Sequence, residues 1–271
     1  MSADHEPVID TTVAHAARIY DYLLGGDTWF EVDRLAAEHA NVDMPGGLDA
    51  ARANVRANRD FMGRAVRWLS GKAAVRQFLD IGTGIPNAHH VHDVAQEIAA
   101  DSRVVYVDND PIVLAHAHQL LESTAEGATS FVYGDLLDPP SVLLGAEAIL
   151  DFAEPMAVML VAILHFLGDE ADPYGIVDRL MSAVPSGSYL VISHGAADID
   201  PDNMARLAAR LNERSRETFV WRSRPDVARF FDGLELVEPG VVRVDQWRPA
   251  PKASPAGDRI IPFYGAVGRK Q

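Results

Sequence analysis

Five short runs rich in β-branched and aromatic residues, at 77–81, 104–107, 129–133, 157–161 and 189–193, alternate with amphipathic stretches such as 87–99 and 111–121. This alternation constrains the chain more than any other feature. Parallel strands need a long crossover, usually a helix, and the crossover is right-handed in nearly every case. The chain is therefore expected to form βαβ units around a parallel sheet covered on both faces. Further on, helices are expected over 203–217 and 225–231, with strands near 234–237, 241–244 and 262–267. The segment 248–257 contains Pro249, Pro251 and Pro255 and reads as a loop.

The first 70 residues lack this alternation. Apolar residues recur at helical spacing over 13–24, 30–40 and 48–69. Thr12 is placed to cap the first of these helices, Gly25-Gly26 to stop it, and Met44-Pro45-Gly46-Gly47 to separate the other two. Residues 1–12 are expected to form a disordered leader.

Composition narrows the function classes. Of 271 residues 48% are hydrophobic, enough for a buried core, and 39 acidic against 24 basic side chains give a net charge of −15. Such a surplus repels phosphate backbones, so no nucleic-acid partner is expected. The absence of cysteine excludes disulfides, thiolate metal ligands and cysteine nucleophiles, and fits a reducing compartment. The polar, acidic start is no signal peptide, and the longest apolar run, 156–164, is far below the roughly 20 residues that span a bilayer. A cytoplasmic location without a membrane partner is expected.

The segment Phe78-Leu79-Asp80-Ile81-Gly82-Thr83-Gly84-Ile85-Pro86-Asn87 carries the chemistry. A strand runs into a Gly-x-Gly turn, where small residues allow unusual dihedrals and close approach of a ligand. The dinucleotide fingerprint would need a third glycine at position 87, which is Asn87. A nicotinamide oxidoreductase is therefore disfavoured. Asp80, two residues ahead of the first glycine, would repel a pyrophosphate but suits a ligand with an ammonium group and a cationic sulfur, such as S-adenosylmethionine. Asp108 ends the next strand, where an acid accepts protons from ribose hydroxyls. Asp135 follows the third strand, where it could hold an adenine amino group. One such acid is usually a turn or cap residue. Three on successive strand ends behind a Gly-x-Gly turn point to a ligand.

With these residues the chain resembles the class I S-adenosylmethionine-dependent methyltransferases. It also resembles a bacterial family of S-adenosyl methyltransferases first catalogued as a domain of unknown function. The matching stretches include Ala17-Arg18-Ile19-Tyr20-Asp21-Tyr22-Leu23-Leu24-Gly25-Gly26, Asn58-Arg59-Asp60-Phe61, Asp80 to Pro86, Val107 to Pro111, Leu164-His165-Phe166, Phe230-Phe231-Asp232-Gly233-Leu234 and Trp247-Arg248-Pro249, and they recur along nearly the whole chain. Departures from the family pattern fall at Asp27-Thr28-Trp29-Phe30 and at Asn87 and His90.

The resemblance implies an α/β, Rossmann-like class I methyltransferase fold, with a seven-stranded, mostly parallel sheet and an antiparallel last strand. Residues 1–70 would form a helical N-terminal lid with its leader, and 71–271 the core. By similarity Asp80, Gly82, Thr83 and Gly84 surround the methionine moiety, Asp108 and Asn109 the ribose and adenine edge, and Asp135 with Leu136 the adenine.

Methyl transfer needs positioning and desolvation first, and a base only for some acceptors. His165 and His194 follow the fourth strand and end the fifth, at the edge of the sheet where α/β ligands bind, and are candidate catalytic bases. Their plainer reading is packed histidines bonded to backbone. Arg18 and Tyr22 share a helical face and are candidates for the cofactor's carboxylate, with Tyr20 pointing elsewhere. The plainer reading is an amphipathic helix. Asn58 and Arg59 are further candidates for the carboxylate or the acceptor. Of His89, His90 and His92 only the outer two share a helical face, and no metal site is expected.

The sequence thus supports S-adenosylmethionine-dependent methyl transfer to a small-molecule acceptor, at oxygen or nitrogen. Trp29, Phe30 and the stretch 221–224 are candidates to shape an apolar or aromatic acceptor site. The alternative is a non-catalytic regulator that binds S-adenosylmethionine or S-adenosylhomocysteine, favoured if no acceptor cavity is present. Self-association into a homo-oligomer is left open.

Overall fold

Strand β1 (Gln77–Ile81) is buried along its whole length, and its neighbours are set by the right-handed crossovers that leave and re-enter the sheet. The computed structural model describes residues 9–86, 90–117, 122–249 and 259–271. In it β1 pairs in parallel with β2 (Arg103–Asp108) on one side and β4 (Ala157–Val161) on the other. Strand β3 (Ala128–Tyr133) extends the sheet beyond β2, and β5 (Tyr189–Gly195) extends it beyond β4. Two-residue strands β6 (Glu235–Leu236) and β7 (Val242–Arg243) both pair with β8 (Phe263–Arg269), which runs antiparallel to β5. The order is β3-β2-β1-β4-β5-β8-β6, with β7 off the path. Among the described residues the sheet has eight strands rather than the seven expected, because the two-residue strand β7 adds to it by pairing Val242 with Gly265 of β8. Strand order reverses between β1 and β4, which opens a crevice at the carboxyl ends of these strands.

Proline and an acidic or hydroxyl cap start most crossover helices. Helices α5 (Pro111–His116), α6 (Pro139–Ala146) and α7 (Pro173–Ala183) open on proline, and Asp110, Asp138 and Asp172 accept from backbone N–H groups of the first turn. Helix α8 (Pro201–Asn212) also opens on proline, after Asp200 at its N-cap position, and the Ser223 side chain caps α9 (Arg224–Arg229). The predicted helix 203–217 ends early because Ser215 leaves it to bridge Ala14. Helix α4 (Val91–Ile98) begins at an N-cap His90, with Asp93 completing a capping box. The expected helical positions 87–89 and 118–121, residues 1–8 of the leader and loop positions 250–258 lie outside the described residues.

Alternation along the strands gives the sheet two cores. Leu79, Ile81, Val105 and Leu160 pack against α6 and α7 on one face. Phe78, Val104 and Met159 pack on the other against Phe61, Met62, Ala65, Val66 and Leu69 of α3 (Gly47–Gly71). A third, smaller cluster of Ile19, Leu23, Ala36, Ala37 and Val55 joins α1 (Ala16–Leu24), α2 (Glu31–Asn41) and the first half of α3. Helix α3 therefore contributes to both the N-terminal cluster and the sheet.

Two polar devices fix this N-terminal layer. Arg18, 3% exposed, pairs with the fully buried Asp33 at 2.9 Å and donates to the carbonyls of Asp10 and Val13. Asp33 also accepts from the backbone of His15 and Phe30, so one carboxylate joins α1 to α2. His15 replaces the expected Thr12 as N-cap of α1, because Ala14 is drawn into an extended bridge with Ser215. Its Nδ1 lies 3.0 Å from Asp110 and its Nε2 2.8 Å from Glu217. Burial opposes the charge on this imidazole, but hydrogen bonds to the two carboxylates outweigh it and raise the pKa to about 9. One imidazolium thus ties the N-terminal helices to the β2–α5 turn and to the segment after α8.

Because the folded pKa of His15 exceeds its unfolded value, this contribution is complete below about pH 6.5 and is lost as pH rises through about 9. It is worth up to about 3 kcal/mol. Urea denaturation across pH 6–10 should show that decline, and His15→Ala should flatten it. Arg18→Leu should cost about 3–5 kcal/mol, because it leaves Asp33 buried without its cation, and Arg18→Leu/Asp33→Leu should recover part of the loss in the same measurement.

Candidate functional site

The turn after β1 adopts the left-handed dihedrals that its glycines permit. Gly82 has φ of +75°, and a Cβ there would lie 2.5 Å from the Ile163 side chain. Gly84 has φ of +69°, and a Cβ there would meet no protein atom within 4 Å. The turn is pinned to β2. Gly82 and Thr83 donate backbone N–H groups to the Val107 carbonyl, and Gly84 donates to Asp108 Oδ2 at 2.8 Å. Asp108 Oδ1 accepts from the backbone of Asp110, and Asp135 Oδ1 from that of Leu137.

Asp80, Gly82, Thr83, Gly84, Asp108, Asn109, Asp135 and Leu136 all line one cavity of about 370 Å³. The structure therefore brings together the glycine turn and the three strand-end acids that the sequence singled out. Two of the acids are poorly solvated. Burial raises Asp80 to about 7, against the opposing charge of Arg59 and with help from Asp108. Asp108 is also raised by burial, although two backbone N–H groups work the other way.

Helices α1 and α3 form the opposite wall, with Tyr20, Asn54, Asn58 and Arg59 facing the cavity. Asn58 Nδ2 donates to the Tyr20 hydroxyl at 2.9 Å, and that hydroxyl donates to the Val55 carbonyl. Asn54 Oδ1 and Asn58 Oδ1 are buried with no protein donor. Arg18 and Tyr22 do not line the cavity. They share a face, as their spacing requires, but it turns toward α2: Arg18 is spent on Asp33, and Tyr22 packs edge-on against Trp29 at 5.0 Å. The opposite face carries Tyr20 into the cavity. Trp29 and Phe30 also fall outside the lining; the Trp29 indole donates to Gly26 and Phe30 caps α2.

The two histidines separate. His194 is fully buried outside the cavity lining, with Nδ1 donating to the Gly195 carbonyl at 2.8 Å and Nε2 accepting from Arg222 at 3.1 Å. Both ring nitrogens are engaged, and burial lowers its pKa to about 4. His194 is therefore a packed histidine, not a base. Arg222 also donates to Leu164, Leu167 and Asp169, and so anchors the loop that carries His165.

His165 sits in a short 3₁₀ turn after β4, lines the cavity, and has a buried Nδ1 with no hydrogen-bond partner among the described residues. Burial, with His194 and Arg222 nearby, lowers its pKa well below the usual value. The ring is thus neutral and a poor proton store. Around it stand Phe166, Phe219, Trp221 and Phe263, with ring centroids 4.5–6.2 Å away. Of these only Trp221 was singled out from the sequence. Phe219 and Trp221 belong to the segment after α8, whose approach to β4 is a tertiary event without a local signature.

His89 lies outside the described residues, and His92 is bonded to the Tyr106 hydroxyl at 2.7 Å. Among the described residues no group of three His, Asp or Glu could hold a metal ion.

These residues fit S-adenosylmethionine. Glycines leave room at the turn, poorly solvated carboxylates face the space, and two orphaned amide oxygens await donors. Comparison with known proteins agrees. The family model described as S-adenosyl methyltransferase matches residues 2–271. A DUF574 family protein from Streptomyces avermitilis MA-4680, solved at 1.80 Å, is 46% identical over 97% of this chain and 100% of its own, with a TM-score of 0.93. A candidate methyltransferase from Thermobifida fusca YX is 35% identical over the whole of both chains, with a TM-score of 0.88. The mitomycin 7-O-methyltransferase MmcR shares the fold at 16% identity and a TM-score of 0.51, over 94% of this chain and 68% of its own. No curated protein matches. The chain belongs to the S-adenosyl methyltransferase family, and is an S-adenosylmethionine-dependent enzyme of class I fold.

Proposed function

We propose that the enzyme methylates a small molecule bound in the same cavity as the cofactor. The observation that carries this reading is the continuity of the cavity, which runs from the glycine turn to the aromatic rings around His165. A non-catalytic binder has no use for the second half.

The cofactor supplies an activated methyl group on a cationic sulfur. Around it, Asp80 with Gly82, Thr83 and Gly84 would hold the methionine end, and Asp80 in its ionised form would face the ammonium group. Tyr20, Asn54, Asn58 and Arg59 take the place that the sequence suggested for Arg18 and Tyr22, because these polar residues of α1 and α3 line the cavity and Arg18 and Tyr22 do not. Asp108 and Asn109 would bind the ribose, and Asp135 and Leu136 the adenine. His165 would accept a hydrogen bond from the acceptor's nucleophilic group and orient it; its depressed basicity argues against a general-base role. Water is kept from the reacting atoms by the lid clasp of His15 and by the α8 side chains Met204, Leu207 and Leu211.

Isothermal titration should give binding of S-adenosylmethionine and S-adenosylhomocysteine and none of NAD. Preference for NAD would reject the reading. Since Asp80 must lose its proton to face a cation, S-adenosylmethionine affinity should fall as pH drops from 7 to 5.5, by up to about tenfold per unit. Asp80→Asn should bind more weakly and lose that dependence.

A further inference from the structure

The acceptor half of the cavity is furnished unlike the cofactor half. His165 and four aromatic rings converge there. Phe219 lies nearly parallel to the imidazole, at 16° and 6.1 Å, while Phe166, Trp221 and Phe263 present themselves at 71–72°. The Trp221 indole is fixed by donating to the Met204 carbonyl, and a Cβ on Gly195 would lie 2.2 Å from its ring, so the rings are seated rather than loosely placed. On the α8 side the wall is Met204, Leu207 and Leu211. The strand-end acids surround the glycine turn, and Glu217, the acid nearest Phe219 in the chain, is engaged by His15, Ser215 and the Ala16 N–H.

We propose that this half is a binding site for a flat aromatic ring bearing an acidic hydroxyl, with His165 directing that hydroxyl toward the methyl donor. This rests on the reading of the enzyme as a small-molecule methyltransferase. Two independent features select the chemistry. Edge and face contacts from several rings favour a planar π-system over a saturated one of equal size. The hydroxyl preference follows from charge: the Arg222 guanidinium, 4% exposed, lies behind the His165 loop and bonds to His194, so the local field disfavours a cationic amine. No carboxylate among the described residues hydrogen-bonds to His165 to strengthen it as a base. An acceptor that ionises readily therefore suits the site, as a phenol does and an alcohol does not.

The step balances without a further reagent. The phenol gives up its proton to bulk water on entering the site, the phenolate oxygen then forms the new O–CH₃ bond, and the S–CH₃ bonding pair stays on sulfur, leaving a neutral thioether.

The test is calorimetric, with 2-naphthol as probe and its saturated counterpart decahydro-2-naphthol as control. Each is titrated into the protein loaded with S-adenosylhomocysteine and into the free protein. The expected result is binding of 2-naphthol at least about tenfold tighter than the control. Phe219→Ala, and independently Trp221→Leu, should erase that preference while S-adenosylhomocysteine affinity stays within about twofold of wild type. Equal binding of the two probes, or no binding of 2-naphthol in either state, overturns the proposal. Failure of S-adenosylhomocysteine to bind strikes instead at the cofactor reading, and the free-protein titration still decides the aromatic site.

Discussion

A carboxylate buried at the end of the central strand is the constraint to which the other parts of this structure respond. Asp80 is 6% exposed, close enough to Asp108 to be repelled by it, and offset in part by Arg59. Such a group is costly to ionise inside a protein. On the proposed reading the fold tolerates it because a cationic ligand would complete the site. The glycine turn keeps that ligand's space free of side chains. The N-terminal helices roof it, and the reversal of strand order between β1 and β4 creates the crevice it occupies.

The N-terminal layer is held by electrostatics of the opposite sign. Arg18 is consumed by Asp33 within the layer, and His15 bridges outward to Asp110 and Glu217. Asp110 caps α5 and follows Asp108 and Asn109, so the roof is tied to the turn that would hold the ribose. Loss of the His15 charge would loosen the roof and the ribose turn together.

Much of this was legible in the sequence, and the reasons differ by element. The five parallel strands were readable because each is a short apolar run followed by an amphipathic crossover. The strand-end acids were readable because Gly82 and Gly84 mark the turn that they surround. Arg18 and Tyr22 were correctly placed on one helical face, but periodicity does not say which face meets the ligand; Asp33, far along the chain, decided it. His194 was hidden in the same way, since its partner Arg222 comes from a segment that only the tertiary fold brings near. Of the aromatic wall the sequence offered Trp221 but not Phe219, Phe166 or Phe263 as acceptor-site residues, for the same reason. Long-range contacts chose the roles of these residues.

On the proposed reading Asp80 is partly protonated until a cationic ligand arrives. Calorimetry of S-adenosylmethionine binding at pH 6, repeated in buffers of different ionisation enthalpy, counts the protons released. About one proton per ligand is expected for the wild type and close to none for Asp80→Asn. Proton release near zero in the wild type, or equal release in both proteins, would contradict it.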